Sequence, residues 1–198
     1  LGDVYKRQLS LIFYGDLDIT EIKDKPRARA PVTTAIVPSR KYDDMLAYVG
    51  REAKAGNQSY FVCPKIEEDE EGSVMSVTEL FDELKNRLPS VRFALLHGKM
   101  KDKEKAEIMQ NFKAKKFDCL VSTTVIEVGV DVPDATIMIV YNAERFGLSQ
   151  LHQLRGRVGR GSKKSYCFLL MGSDSPQARE RLLSLIHISE PTRRSYIS

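Results

Sequence analysis

The chain has 198 residues, room for one globular domain and too few for two full ones. Hydrophobic residues at 42% and charged residues at 29% exclude a disordered tail, a collagen-like repeat and a coiled-coil rod. No apolar run approaches the roughly 20 residues of a membrane span, and a net charge of +4 permits a nucleic-acid partner without demanding one.

Residues 1–8 (LGDVYKRQ) have neither helical nor strand periodicity. Residues 184–198 (SLIHISEPTRRSYIS) break off an amphipathic helix that starts near Ser175. Both strings resemble translated sequencing adapters, so residues 9–183 are expected to be the evolved domain and the two ends non-native tails. Without the ends, each of which carries one net positive charge, the remainder stands at +2.

In chain order, Val32 to Val37 is β-branched and stops at Pro38, as a strand does. Residues 41–55 space Met45, Tyr48, Val49 and Ala53 about one helical turn apart, and Gly56 ends that helix. Residues 59–63 read as a strand closed by Pro64, and the acidic run 67–71 as a solvated loop. A helix is expected next, with Ser76 as its N-cap and Val77, Leu80, Phe81, Leu84 and Leu88 on its buried face. A strand at 92–96, a helix at 101–114, strands at 118–121 and 136–140, a helix at 150–158 and a last strand at 165–170 complete the series. Uniformly apolar strands separated by helices imply an α/β domain, a mainly parallel sheet flanked by helices on both faces.

Cys63, Cys119 and Cys167 each sit in an apolar strand-like run with no second Cys or His at ligand spacing. They read as buried thiols in a reducing cytosol, and no metal site is expected.

In such sheets, function gathers in loops at the carboxyl ends of the strands. His97, Gly98, Lys99 and Met100 follow the strand at 92–96, and Ser122, Thr123 and Thr124 follow the strand at 118–121. Further on, Arg155, Arg157 and Arg160 are interleaved with Gly156, Gly159 and Gly161. Guanidinium forks beside close-approaching glycine backbone suit a phosphate, although a solvated basic turn would show the same spacing. The 198 residues contain no G-x-x-x-x-G-K-S/T loop and no acidic box after a strand to hold magnesium. The chain can lend arginines to a nucleotide but cannot cradle a triphosphate alone.

These residues resemble a known set. Gln153-Leu-Arg-Gly-Arg-Val-Gly-Arg160 is similar to motif VI of superfamily 2 helicases, and the segment from Ser122 to Pro133 to their motif V. Leu96-His-Gly-Lys-Met100 resembles motif IVa, and Tyr60-Phe-Val-Cys-Pro64 motif IV. Within the superfamily, Tyr14-Gly-Asp-Leu-Asp18 and the string from Asn142 to Arg155 resemble the bacterial ATP-dependent helicases that remodel stalled forks and branched DNA. The motor of transcription-repair coupling factors is the alternative.

The resemblance implies a RecA-like three-layer domain, the second of two motor domains that close on ATP and Mg2+, both held mainly by the first. It implies Arg160 as arginine finger with Arg157 beside it, and Gln153 coupling the γ-phosphate to domain closure. It places Gly129 and Asp131 at the ribose. By family pattern Ser122, Thr123, Thr124, His97, Gly98 and Lys99 grip the DNA backbone. For Arg155 a structural ion pair stands as an equal reading, and His152 reads as packing. The implied partners are branched DNA and the first motor and wedge domains of a longer chain. The implied setting is a monomer in the bacterial cytoplasm at the nucleoid, away from membranes.

Overall fold

The computed structural model describes residues 32–64, 70–123 and 132–172 and, further on, residues 176, 179, 180, 182 and 183; for 70–75 it describes backbone alone. The tails at 1–8 and 184–198 lie outside the described residues.

Among the described residues, six strands form one parallel sheet: β1 (Val32–Val37), β2 (Gln58–Cys63), β3 (Phe93–Leu96), β4 (Cys119–Thr123), β5 (Ala135–Val140) and β6 (Ser165–Leu170). Their order across the sheet is β1-β6-β5-β2-β4-β3. The central strands β2, β4 and β5 are buried at every position, which their unbroken apolar sequences require once both sheet faces are covered.

Among the described residues, α1 (Tyr42–Lys54), α2 (Glu70–Arg87), α3 (Asp102–Lys113) and α4 (Leu148–Arg155) cover those faces. One core layer packs Met45, Leu46 and Val49 of α1 and Val77 and Leu84 of α2 against Phe61, Val121 and Ile139. The other packs Met109 and Phe112 of α3 and Leu151 and Leu154 of α4 against Tyr60, Leu120 and Met138. This is the expected three-layer architecture.

The helix ends follow from local sequence. Asp43 and Asp44 open α1 while Arg51 and Lys54 close it, each sign matching the helix dipole. Gly56 then turns the chain at φ 79°, in the left-handed region. Glu104 Oε2 accepts the Lys101 N–H at 3.1 Å to start α3.

After α3, Lys115 takes φ 59°, unusual for a residue with a Cβ. Buried Gln58 holds this turn, its Nε2 donating to Phe112 O at 2.6 Å and Phe117 O at 2.8 Å. Phe112 O also accepts the Lys115 N–H at 3.0 Å, so losing the Gln58 amide would orphan the Phe117 carbonyl, at a cost on the order of 1–3 kcal/mol.

Three expected elements shift by two residues or more, among them the helix expected at 150–158, which runs from Leu148 to Arg155 and leaves residues 156–158 to the loop. The helix expected to begin at Ser76 begins at Glu70 and absorbs the end of the acidic run, because acidic residues suit a helix N-terminus. The strand expected at 118–121 runs on to Thr123, so Ser122 and Thr123 are buried strand residues and not loop residues. Ser122 pairs with Leu96 of β3 and with Val62 of β2, a register that holds it in the sheet.

Candidate nucleotide and nucleic-acid sites

The candidate residues divide between the two opposite edges of the sheet. At the carboxyl edge β3 ends at Leu96, opposite Ser122, which brings the His97–Met100 turn beside the end of β4. That turn is closed by Met100 N–H donating to His97 O at 3.2 Å. Gly98 and Lys99 are exposed, and nothing lies within 4 Å of where a Gly98 Cβ would stand, leaving the backbone open to a ligand. His97 is half-buried, and its Nδ1 is buried without a hydrogen-bond partner. The Ser122 hydroxyl is likewise buried and unpartnered. Thr124, Gly129 and Asp131 lie outside the described residues.

The arginine segment lies at the other edge, which overturns the expectation that it joins the carboxyl-end loops. α4 follows β5 and runs back along the sheet, so its end reaches the amino ends of the strands. There Arg155 Nη2 donates to the carbonyl of Val32, the first residue of β1, at 3.3 Å. A carbonyl, not a carboxylate, takes this guanidinium, which anchors α4 to the sheet.

Val158 is buried, Gly159 turns at φ 73°, and Arg160 Nε donates to Gly156 O at 3.2 Å. A Cβ on Gly161 would stand 3.0 Å from Pro133 O, so the loop lies tight against the residues that lead into β5. Lys163 Nζ closes it, donating to Asn57 Oδ1 at 2.6 Å and Asp134 Oδ1 at 3.2 Å, just ahead of β2 and β5.

Arg157 and Arg160 are thus half-exposed on a braced loop. Gln153 is exposed on the last turn of α4. His152 is exposed as well, not packed as expected, because the buried stripe of α4 is Leu151 and Leu154.

Strands of about six residues at about 3.3 Å each separate the two edges by on the order of 20 Å. Each edge offers donors suited to phosphate oxygens, so the domain can engage two anions at once without contact between them.

Sequence reasoning missed the braces: Lys163, Asp134, Lys115 and Asn57 at the arginine loop. None carries a periodic or motif signal, and their pairing depends on strand order. Asp134 is held below the usual carboxylate range, first by its hydrogen bond from Lys115 against the opposing effect of burial, with Lys163 adding to it.

Burial pushes the Cys63 and Cys167 thiols up to about 12 and raises Cys119 too, in keeping with the buried-thiol reading. Among the described residues no three His, Cys, Asp or Glu side chains group as a metal site. No helix among them is long and apolar enough to cross a membrane.

The chain is 46% identical over 177 residues to the ATP-dependent DNA helicase RecG of Thermotoga maritima, covering 89% of this chain and 23% of that protein. The RecG of Synechocystis is also 46% identical, with 89% of this chain and 21% of that protein covered. The chain therefore spans about a quarter of the length of the relatives it matches.

A structure of RecG bound to a three-way DNA junction superposes with a TM-score of 0.72 at 41% identity, covering 93% of this chain and 25% of that one. The C-terminal domain of the DEAD-box protein Dbp5 shares the fold, with a TM-score of 0.57 at 15% identity over 84% of this chain and 88% of that one. The profile of the helicase conserved C-terminal domain matches residues 40–162, and the chain belongs to that family.

Proposed function

We propose that the chain is the second motor domain of an ATP-dependent DNA helicase of the RecG kind, acting on branched DNA and stalled replication forks in recombination and repair. The observation that carries the reading is the braced amino-edge loop, which offers Arg157 and Arg160 in a chain without a phosphate loop of its own. A first motor domain supplies that loop and the magnesium carboxylate, and ATP with Mg2+ sits between the two domains.

Arg160 is the finger that neutralises charge on the transferring γ-phosphoryl group, and Arg157 is its partner. Gln153 senses the γ-phosphate, and Gly129 and Asp131 face the ribose. Closure of the cleft moves the carboxyl edge relative to the first domain. Along that edge His97, Gly98, Lys99 and Thr124 meet backbone phosphates, while Ser122 and Thr123, both buried, shape the end of β4. Backbone contacts carry no base sequence, as a translocating motor requires. The wedge domain of the longer chain reads the junction, and the whole works as a monomer at the bacterial nucleoid.

The test mixes this chain with a separately produced wedge and first motor domain of a RecG, with branched DNA present. ATP turnover is expected only in the mixture, and Arg160→Ala is expected to lower it by about 10³–10⁵. Magnesium-dependent turnover by this chain alone, or full turnover with Arg160→Ala, would overturn the reading.

A further inference from the structure

Between the carboxyl ends of β1, β5 and β6 lies a notch of about 230 Å³ that the proposed motor mechanism does not use. Val37, Leu170 and Met171 make it apolar, while Tyr42, Tyr141 and Asn142 bring polar groups to it. The two phenol rings stand edge to face, 6.2 Å between centroids at 81°, and their hydroxyls are joined at 2.6 Å. The Arg87 guanidinium lies 5.2 Å from the Tyr42 ring centroid and pairs with Asp43 and Glu83, so that ring is fixed in place. Asn142 is fixed too, in a left-handed turn at φ 47° with its amide against Gly172.

Rigid aromatic and aliphatic walls with hydroxyl and amide groups beside them fit a flat heteroaromatic ring that has a hydrogen-bonding edge. Position narrows the ligand further. The notch opens on the same edge as the His97–Met100 turn. The notch centres on β6, four strands from β3, whose end carries that turn, about 19 Å away, which is the rise of about five to six stacked nucleotides. Exposed Arg40 and Lys41 follow β1 and exposed Arg145 follows β5, so cations flank the notch as phosphates on either side of a bound base would require. Of the neighbouring acids, Asp43 and Glu83 face Arg87, and Glu144 accepts the Gly172 N–H at 3.0 Å.

We propose that this notch is a base-stacking subsite that takes one nucleobase of a single strand running along the carboxyl edge. It rests on the reading of that edge as the DNA-binding surface. It gives the motor a grip on the base side of a strand that is otherwise held by its phosphates.

The test measures binding of the 198-residue chain to an oligothymidylate and to an abasic oligomer of equal length and charge, in a salt series. The oligothymidylate is expected to bind about five- to tenfold more tightly, the effect of one stacked base. Ser39→Leu, which caps the notch from its exposed rim, and Tyr42→Ala, which removes one wall, are each expected to abolish that preference and leave abasic binding and its salt dependence unchanged. Equal affinity of the unmodified chain for the two oligomers, or a preference that survives both substitutions, would overturn the subsite while leaving the phosphate-binding edge intact. Failure of both oligomers to bind at low salt would overturn the reading of the edge and the subsite with it.

Discussion

Lys163 and Asp134 tie the arginine-bearing loop to the start of β5. The ammonium lies 3.2 Å from Asp134 Oδ1, while Lys115 takes Oδ2 at 2.8 Å. One carboxylate therefore joins the loop after Arg160 to the turn after α3. All three side chains are partly exposed, so each pair contributes on the order of 0–1 kcal/mol. The brace sets where the loop stands more than whether the domain folds.

That division gives a first prediction. Asp134→Asn is expected to change unfolding free energy by less than about 1 kcal/mol and to lower ATP turnover severalfold in the mixture with the first motor domain. Urea unfolding and steady-state turnover measure the two effects separately. A stability loss with turnover unchanged would make Asp134 merely structural.

Gly172 supplies a second. A Cβ there would stand 2.1 Å from Asn142 Oδ1 and 3.0 Å from Glu144 Oε1. Gly172→Ala is therefore expected to destabilise the domain by about 1–3 kcal/mol. Asn142→Gly removes the clash and suits the φ of 47° at that position, so the double variant is expected to recover part of the loss. A double-mutant cycle by thermal unfolding checks this, and strict additivity would contradict it.

Asp118 sets a pH dependence. Burial works to raise its pKa, but Arg92 outweighs that, with the backbone N–H at 2.9 Å, Nε at 3.0 Å and Nη2 at 2.6 Å all donating to the carboxylate. Its pKa in the folded chain lies below the unfolded value of about 3.9. The contribution to stability is thus fully present above that value and is lost as pH falls through the folded pKa. Asp118→Asn is expected to cost about 1–2 kcal/mol at neutral pH, with the gap closing as pH falls through the lowered folded pKa. Urea midpoints across an acid series measure it; a gap constant into acid would contradict the assignment.

Much of the fold is legible in single segments. Ala135–Val140 (ATIMIV) has no polar face and can only be a strand covered on both sides. The stripe of Val77, Leu80 and Leu84 announces its helix in the same way. What the segments do not carry is adjacency. Nothing in Val32–Val37 says that Ser165–Leu170 lies beside it, and the amino-edge position of Arg157 and Arg160 follows from that order together with the return of α4.

Thr123 was misplaced for a related reason. A hydroxyl-rich run reads as a turn, yet pairing with Cys63 extends the strand through it. His152 shows the limit of spacing on a short helix, where eight residues leave room for one narrow buried stripe.

The central claim is that two anions are served by opposite edges, the DNA backbone at His97–Lys99 and the nucleotide at Arg157 and Arg160. The most direct measurement is the salt dependence of single-stranded DNA binding by the chain, compared with Lys99→Ala and with the double variant Arg157→Ala, Arg160→Ala. The account predicts that Lys99→Ala lowers the slope of log affinity against log salt by about one phosphate contact, while the arginine pair leaves it unchanged. A slope flattened by the arginine pair and untouched by Lys99→Ala would put DNA on the amino edge and contradict the account.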